Sequence, residues 1–202
     1  DVNPCKVRNG TKSQSTFVPD IPDVRSVLRL SSSMGALKYQ VMSEIAAWCG
    51  LRLGEQFALR RCDIRLRDGQ PTHVLVRRSV TWIRKQPVIK GPKSRAGVRD
   101  VPIPWLIRGK LAAYLETIDG AEEQLLFPAT RDAGKPMRPA TLYKVFYRAR
   151  KAAGVPKLRW HDLRHFAATR FAIAGATTKE LMTIIGHSTP NASMRYQQVT
   201  DG

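Results

Sequence analysis

Between Thr72 and Ile103 the apolar pattern of this chain changes period, and that change constrains the fold more than any other feature. Thr72-His73-Val74-Leu75-Val76, Val80-Thr81-Trp82-Ile83 and Val98-Arg99-Asp100-Val101-Pro102-Ile103 are rich in β-formers and separated by Gly, Pro and Lys turns. Branched and aromatic side chains pack well on a pleated surface, so these runs predict a small antiparallel sheet of three strands. On either side the spacing is helical. Apolar residues at 21, 24, 27, 28 and 30 place a short helix over 21–30, and Val41, Met42, Ile45, Ala46 and Trp48 line one side of a helix over 37–49. Gly50 ends that helix as a C′ glycine does, and a short helix follows over 54–59. After Pro104, helices are predicted over 105–118, 139–153, 161–174, 177–185 and 190–196. The fold class is therefore α+β, mainly α-helical with a small three-stranded antiparallel sheet. The polar stretch 1–18 reads as a linker or N-terminal arm, and 19–202 as one domain with a core of its own.

The charge balance narrows the partner. Thirty-four Lys and Arg against 16 Asp and Glu give a net charge of +18, which calls for a polyanion, nucleic acid before acidic membrane or protein. The excess is concentrated: residues 60–110 carry +11 and residues 131–170 carry +9. One such cluster could be a solvated face; two clusters around the same histidine and arginine motif favour a DNA or RNA groove. No apolar run is long enough for a membrane span, and no apolar leader opens the sequence. The cysteines Cys5, Cys49 and Cys62 are odd in number and lack metal-ligand spacing, which suits a reducing compartment.

The chemistry is concentrated near the end of the chain. His161 and Arg164 stand three residues apart on one helical face, where a guanidinium can hold two phosphate oxygens and an imidazole can move a proton. The same pair serves equally well in a surface salt bridge. Asp162 and His165 fit supporting roles or solvent-facing ones. Arg52 lies on a glycine-flanked turn, with Glu55 three residues on to pair with it, functionally or only structurally. Lys93 and Arg95 occupy a basic turn between strands, suited to a general acid or to a flexible hairpin of solvated charge. Gly186-His187 closes one helix, and Tyr196 stands nine residues beyond His187. A phenol with a pKa near 10 is a poor nucleophile alone, but cations around it favour attack on a phosphodiester.

Taken in order, Trp48 to Arg60, Lys93 to Pro102, His161-Asp162-Leu163-Arg164-His165, Ile185-Gly186-His187-Ser188 and Met194-Arg195-Tyr196 resemble the motifs of the tyrosine recombinase (phage integrase) family. Arg61 departs from them, standing where the family often has Trp. The resemblance implies the family's catalytic-domain fold, with 19–202 as that domain and the family's preceding core-binding domain outside this sequence. It implies site-specific DNA recombination by an integrase of a phage or other mobile element, through a 3′-phosphotyrosine. Tyr196 is then the nucleophile, and Arg52 and Arg164 hold the phosphate oxygens. Lys93 protonates the leaving 5′-oxygen, His161 moves the tyrosine proton, and His187 donates to the phosphate. Glu55, Asp162 and His165 support them.

Among the basic residues, Arg60, Arg95, Arg99, Lys144 and Arg148 are expected to touch DNA. The partner is double-stranded DNA, bound in a synaptic tetramer by the full-length protein, with this fragment alone a monomer. The setting is the cytoplasm of a bacterial host, at the nucleoid. No cofactor or metal is expected, because the phosphotyrosine retains the ester energy. Two readings compete: a type IB topoisomerase-like activity that relaxes DNA, and a non-catalytic DNA-binding module. A metal site built from His161, His165 and His187 is a minor alternative, since it lacks acidic or cysteine partners at ligand spacing.

Overall fold

The computed structural model describes residues 21–91, 98–118, 121–186 and 196. The expected N-terminal arm, the turn with Lys93 and Arg95, His187 and most of the predicted last helix fall outside them. Three helices open the fold: α1 (Val24–Ser33), α2 (Leu37–Glu44) and α3 (Leu53–Ala58). The Asp23 carboxylate caps α1, accepting from the Ser26 amide at 2.6 Å. Helix α2 runs into a wider π-turn over Ile45–Cys49, which ends at Gly50 with φ +67°. Only glycine takes that conformation cheaply. Space requires it as well, since a Cβ there would lie 2.6 Å from the Ile185 methyl.

Strands follow: β1 (Ile64–Arg67), β2 (Gln70–Val76), β3 (Ser79–Ile83), β4 (Gln86–Lys90) and β5 (Arg99–Pro102). The three-stranded antiparallel sheet is present, but it is β1-β2-β5. The predicted strand at 80–83 instead pairs with Gln86–Lys90 as a separate hairpin. Its two-residue turn is Arg84-Lys85, both at positive φ (47° and 67°). Such turns favour Asn and Gly, so this one was invisible to turn-residue rules. Helix α4 (Trp105–Glu116), the short hairpin β6 (Pro128–Ala129) and β7 (Asp132–Pro136), and helices α5 (Pro139–Ala152), α6 (Trp160–Ile173) and α7 (Thr178–Ile185) complete the order. Among the described residues no helix is long and apolar enough to cross a membrane.

Phe57, Phe127, Phe146, Phe166, Leu30 and Met42 are among the fully buried side chains of the main core. A second, smaller cluster of Ala167, Ala168, Ala172, Leu181, Ile185 and Tyr196 joins α6 to α7. Between α1, α2 and α4 the buried Glu44 carboxylate accepts from Ser31 Oγ at 2.6 Å and pairs with Lys110, so that buried charge is compensated.

One close approach bears directly on the site. Helix α3 presses on β3 through Gly54, where a Cβ would meet Ser79 Oγ at 2.6 Å and the Val80 carbonyl oxygen at 2.7 Å. Gly54→Ala is expected to cost about 1–3 kcal/mol, because the backbone of β3 must move. Thermal unfolding reads this as a fall of roughly 2–4 °C per kcal/mol. An unchanged Tm would mean that α3 and β3 are not held together there.

Candidate active site

Arg52 sits where the Gly50 turn enters α3, at the N-cap position. The Glu55 carboxylate accepts from the Arg52 amide at 2.7 Å and from its guanidinium at 3.0 Å, so Glu55 both closes the helix start and holds the side chain. The Arg52 side chain remains 44% exposed. Its other end donates to the Gly186 carbonyl at 2.7 Å. That contact joins residues 134 apart in sequence.

On α6, Asp162 is buried and caps the helix, accepting from the Arg159 amide at 2.8 Å and from the Arg159 guanidinium. Two residues on, Arg164 is buried. It donates to the Gly50 carbonyl at 2.5 Å and to the Ile185 carbonyl. Burial, and then the nearby Arg52, pull its pKa down to about 9, so the guanidinium still carries its charge at neutral pH. The two guanidiniums at 52 and 164 therefore converge on neighbouring carbonyls at the end of α7.

Arg99 requires a correction. Expected on the DNA face, its side chain is only 1% exposed. It grips Glu55 with both terminal nitrogens at 2.9 and 2.8 Å, and its Nε donates to the Ile184 carbonyl at 2.8 Å. A buried guanidinium shared between a buried carboxylate and a backbone carbonyl is turned away from any phosphate at the surface. Burial pushes the Glu55 carboxyl up, but the Arg99 bond and charge outweigh it and leave the group below its usual range. The sequence held a signal for this. In the period-2 pattern Arg99 shares a face with Val101 and Ile103, both buried. Three arginines thus satisfy three successive carbonyls, Ile184, Ile185 and Gly186, at the electronegative end of α7, where a helix lacks partners of its own. Gly186 adopts φ +71°, and a Cβ there would come within 3.0 Å of the Arg99 guanidinium.

The remaining basic residues divide. Arg60 pairs with Glu123, which compensates its charge at the place expected to face DNA. Lys144 and Arg148 are exposed on α5, as a nucleic-acid contact would need.

His161 and His165 are one turn apart on α6, with rings edge-to-face at 4.8 Å. His161 is exposed, and its pKa lies below the usual value through desolvation and then the Arg164 charge. His165 is partly buried; desolvation and then His161 take its pKa down to about 4. A hydrogen bond joins His165 Nδ1 to the Tyr196 hydroxyl, and the two ring centroids lie 5.8 Å apart. The Tyr196 ring is 7% exposed, packed in the α6–α7 cluster. Among the described residues no group of three or more His, Cys, Asp or Glu side chains is placed to hold a metal ion.

The model of the family described as "Phage integrase family" matches residues 23–202. A putative prophage phiRv2 integrase of Mycobacterium tuberculosis is 38% identical over 203 residues, covering 100% of this chain and 53% of the relative. The chain thus spans about half the length of the curated relatives it matches. The Tn1549 transposon integrase, solved in complex with transposon right end DNA, superposes with a TM-score of 0.70 at 23% identity over 89% of this chain and 61% of that one. The XerA recombinase crystal structure gives 0.71 at 20% identity over 93% and 62%. The shared architecture is that of a tyrosine recombinase catalytic domain.

Proposed function

The chain belongs to the phage integrase family, and from that premise we propose that it is the catalytic part of a site-specific recombinase that cuts and rejoins duplex DNA through Tyr196. The observation that carries this reading is the convergence of Arg52 and Arg164 on adjacent carbonyls at the end of α7, with the phenol of Tyr196 held by the residue next to Arg164. Two cations set side by side can hold the non-bridging oxygens of one phosphate and stabilise the charge that builds up as a fifth oxygen approaches phosphorus. The Tyr196 oxygen forms the new bond to phosphorus, and the bond to the 5′-oxygen breaks. Lys93 gives that oxygen its proton, and His187 donates to the phosphate; both roles are assigned from the sequence motifs. His161, on the exposed edge of the site, assists in moving the tyrosine proton, and Asp162 fixes the start of α6 beneath it. Because one phosphate ester replaces another, the step runs in reverse when a new 5′-hydroxyl attacks, and no energy source is needed to reseal the strand.

In this reading residues 19–202 form the catalytic domain behind an arm at 1–18. Duplex DNA lies against Lys144, Arg148 and the basic turn with Lys93 and Arg95. The whole protein assembles as a tetramer on paired DNA sites in a bacterial cytoplasm, while this segment alone is a monomer. The test is incubation with a nicked duplex from which the short piece on the 3′ side of the cut, carrying the freed 5′-hydroxyl, can diffuse away. A protein–DNA adduct that survives denaturant, mapped by peptide mass spectrometry to Tyr196, is the expected result. An adduct on any other residue refutes the site assignment. Relaxation of a supercoiled plasmid without exchange between two sites would point to a topoisomerase instead.

A further inference from the structure

Arg99 is buried on β5 and turned away from the surface, yet it grips the carboxylate that also holds Arg52. Glu55 Oε1 accepts from Arg52 at 3.0 Å and from Arg99 at 2.9 Å, so a half-exposed guanidinium and a buried one share a single oxygen. The other oxygen, Oε2, accepts from Arg99 at 2.8 Å and from the Arg52 amide at 2.7 Å. Arg164 stands within the electrostatic reach of this group. Burial and then Arg52 lower its pKa, Arg99 adds to that, and Glu55 opposes it. These three guanidiniums and one carboxylate together leave two positive charges at the end of α7.

A phosphodiester carries one negative charge, and more builds up on its oxygens as the phenol oxygen closes on phosphorus. Two uncommitted positive charges match that change better than one. Arg52 is uncommitted only while another cation neutralises Glu55, because a buried carboxylate holds its nearest cation strongly. We infer that Arg99 is a positioning residue for strand cleavage: it neutralises Glu55 and so leaves the charge of Arg52 available to the scissile phosphate. Resting on the recombinase reading above, this adds to the site a residue that never touches DNA. Without Arg99 the same group would hold one net positive charge, with Arg52 the remaining partner of Glu55 among the described residues.

The bonding of the two arginines suits that division of labour. Arg99 spends every nitrogen: Nε on the Ile184 carbonyl at 2.8 Å and both terminal nitrogens on Glu55. Gly186 leaves room for it, since a Cβ there would come within 3.0 Å of the guanidinium. Arg52 instead divides its bonds between Glu55 and the Gly186 carbonyl, and the carbonyl is a neutral acceptor that a charged phosphate oxygen can displace. Away from bulk water, the balance of charge at this distance acts on the phosphate with little screening.

The readout is the rate of adduct formation on the nicked duplex, at saturating DNA and a temperature where circular dichroism shows each variant folded. Arg99→Met is expected to slow it roughly ten- to a hundredfold, less than the loss of about 10²–10³ that follows removal of a direct donor. Arg99→Lys keeps the charge and is expected to stay near the unaltered rate. Glu55→Gln in the Arg99→Met chain removes the carboxylate that commits Arg52, and is expected to restore most of the rate. On a duplex with a neutral methylphosphonate at the cleaved position, the gap between the Arg99→Met and unaltered chains should nearly close, because less charge then needs meeting. An unslowed Arg99→Met, a gap equally wide on both substrates, or a double variant as slow as the single one would make Arg99 a structural residue and overturn the proposal. If Arg99→Met does not fold, the double variant and Arg99→Lys decide: near-unaltered rates in both support the charge balance, and a marked loss in either refutes it. No adduct at Tyr196 from the unaltered chain would instead refute the recombinase reading, and the role of Arg99 with it.

Discussion

Tyr196→Phe is expected to abolish covalent attachment to a nicked duplex while leaving DNA affinity almost unchanged. The substitution removes one oxygen and keeps the ring, so packing against Ala167, Leu181 and Ile185 survives. What is lost within the fold is the hydrogen bond to His165, worth about 1 kcal/mol. DNA affinity depends instead on the salt-sensitive attraction between phosphates and the basic clusters at 60–110 and 131–170, which the change does not touch. Gel-shift titration and a denaturing-gel adduct assay on the same samples separate the two quantities. A Tyr196→Phe chain that still forms adduct would show that another side chain attacks. Loss of adduct together with loss of binding would mean that the phenol oxygen serves affinity rather than chemistry.

Arg99→Met should produce the largest loss of stability. It removes the buried one of the two guanidiniums paired with the Glu55 carboxylate and leaves only the half-exposed Arg52, and breaking a buried pair typically costs about 3–5 kcal/mol. For a domain of this size that is a fall in Tm on the order of 10 °C. The effect should also depend on pH in a definite direction. The Glu55 carboxyl lies below its ordinary value of 4.5 in the fold, so its contribution is present above that value and is lost as pH falls through the lower folded value. Once Glu55 is protonated it needs no cation, so the gap between the Arg99→Met and unaltered chains should narrow below about pH 4.5. Glu55→Gln in the Arg99→Met background should recover part of the stability, because a neutral amide tolerates burial better than a carboxylate left with only the half-exposed Arg52. Thermal melts at pH 4 and pH 7 test both statements. A gap equally wide at the two pH values would mean that Arg99 stabilises by packing, through the Ile184 carbonyl, rather than by charge.

The helices were legible because their signal is local. The run Val41, Met42, Ile45, Ala46 repeats at helical spacing, and Gly50 marks its end. The strand at 72–76 was legible for the same reason, and its pairing was not. Sequence alone could not tell that Val76 faces Arg99 across the sheet, or that Arg84-Lys85 would fold the next strand back on itself. The candidate site divides along the same line. Arg52, Arg164 and Tyr196 were singled out by residue type and spacing; the fold brings the two arginines to the end of α7 and packs Tyr196 in the cluster that joins α6 to α7. Arg99 was assigned to DNA because it is an arginine in a basic stretch, although the alternation with Val101 and Ile103 argued for the interior.

Residue order by itself determined which chemical groups are available, the periods that make helices and strands of them, and the membership in a family of enzymes. Only the tertiary structure decided where each charge is spent. Arg99 meets a carboxylate 44 residues away, Arg52 a carbonyl 134 residues away, and Tyr196 an imidazole 31 residues away. The reason is physical: periodicity is set by neighbours along the chain, whereas a buried charge is stabilised by whatever partner the packing of distant elements brings within a few ångströms.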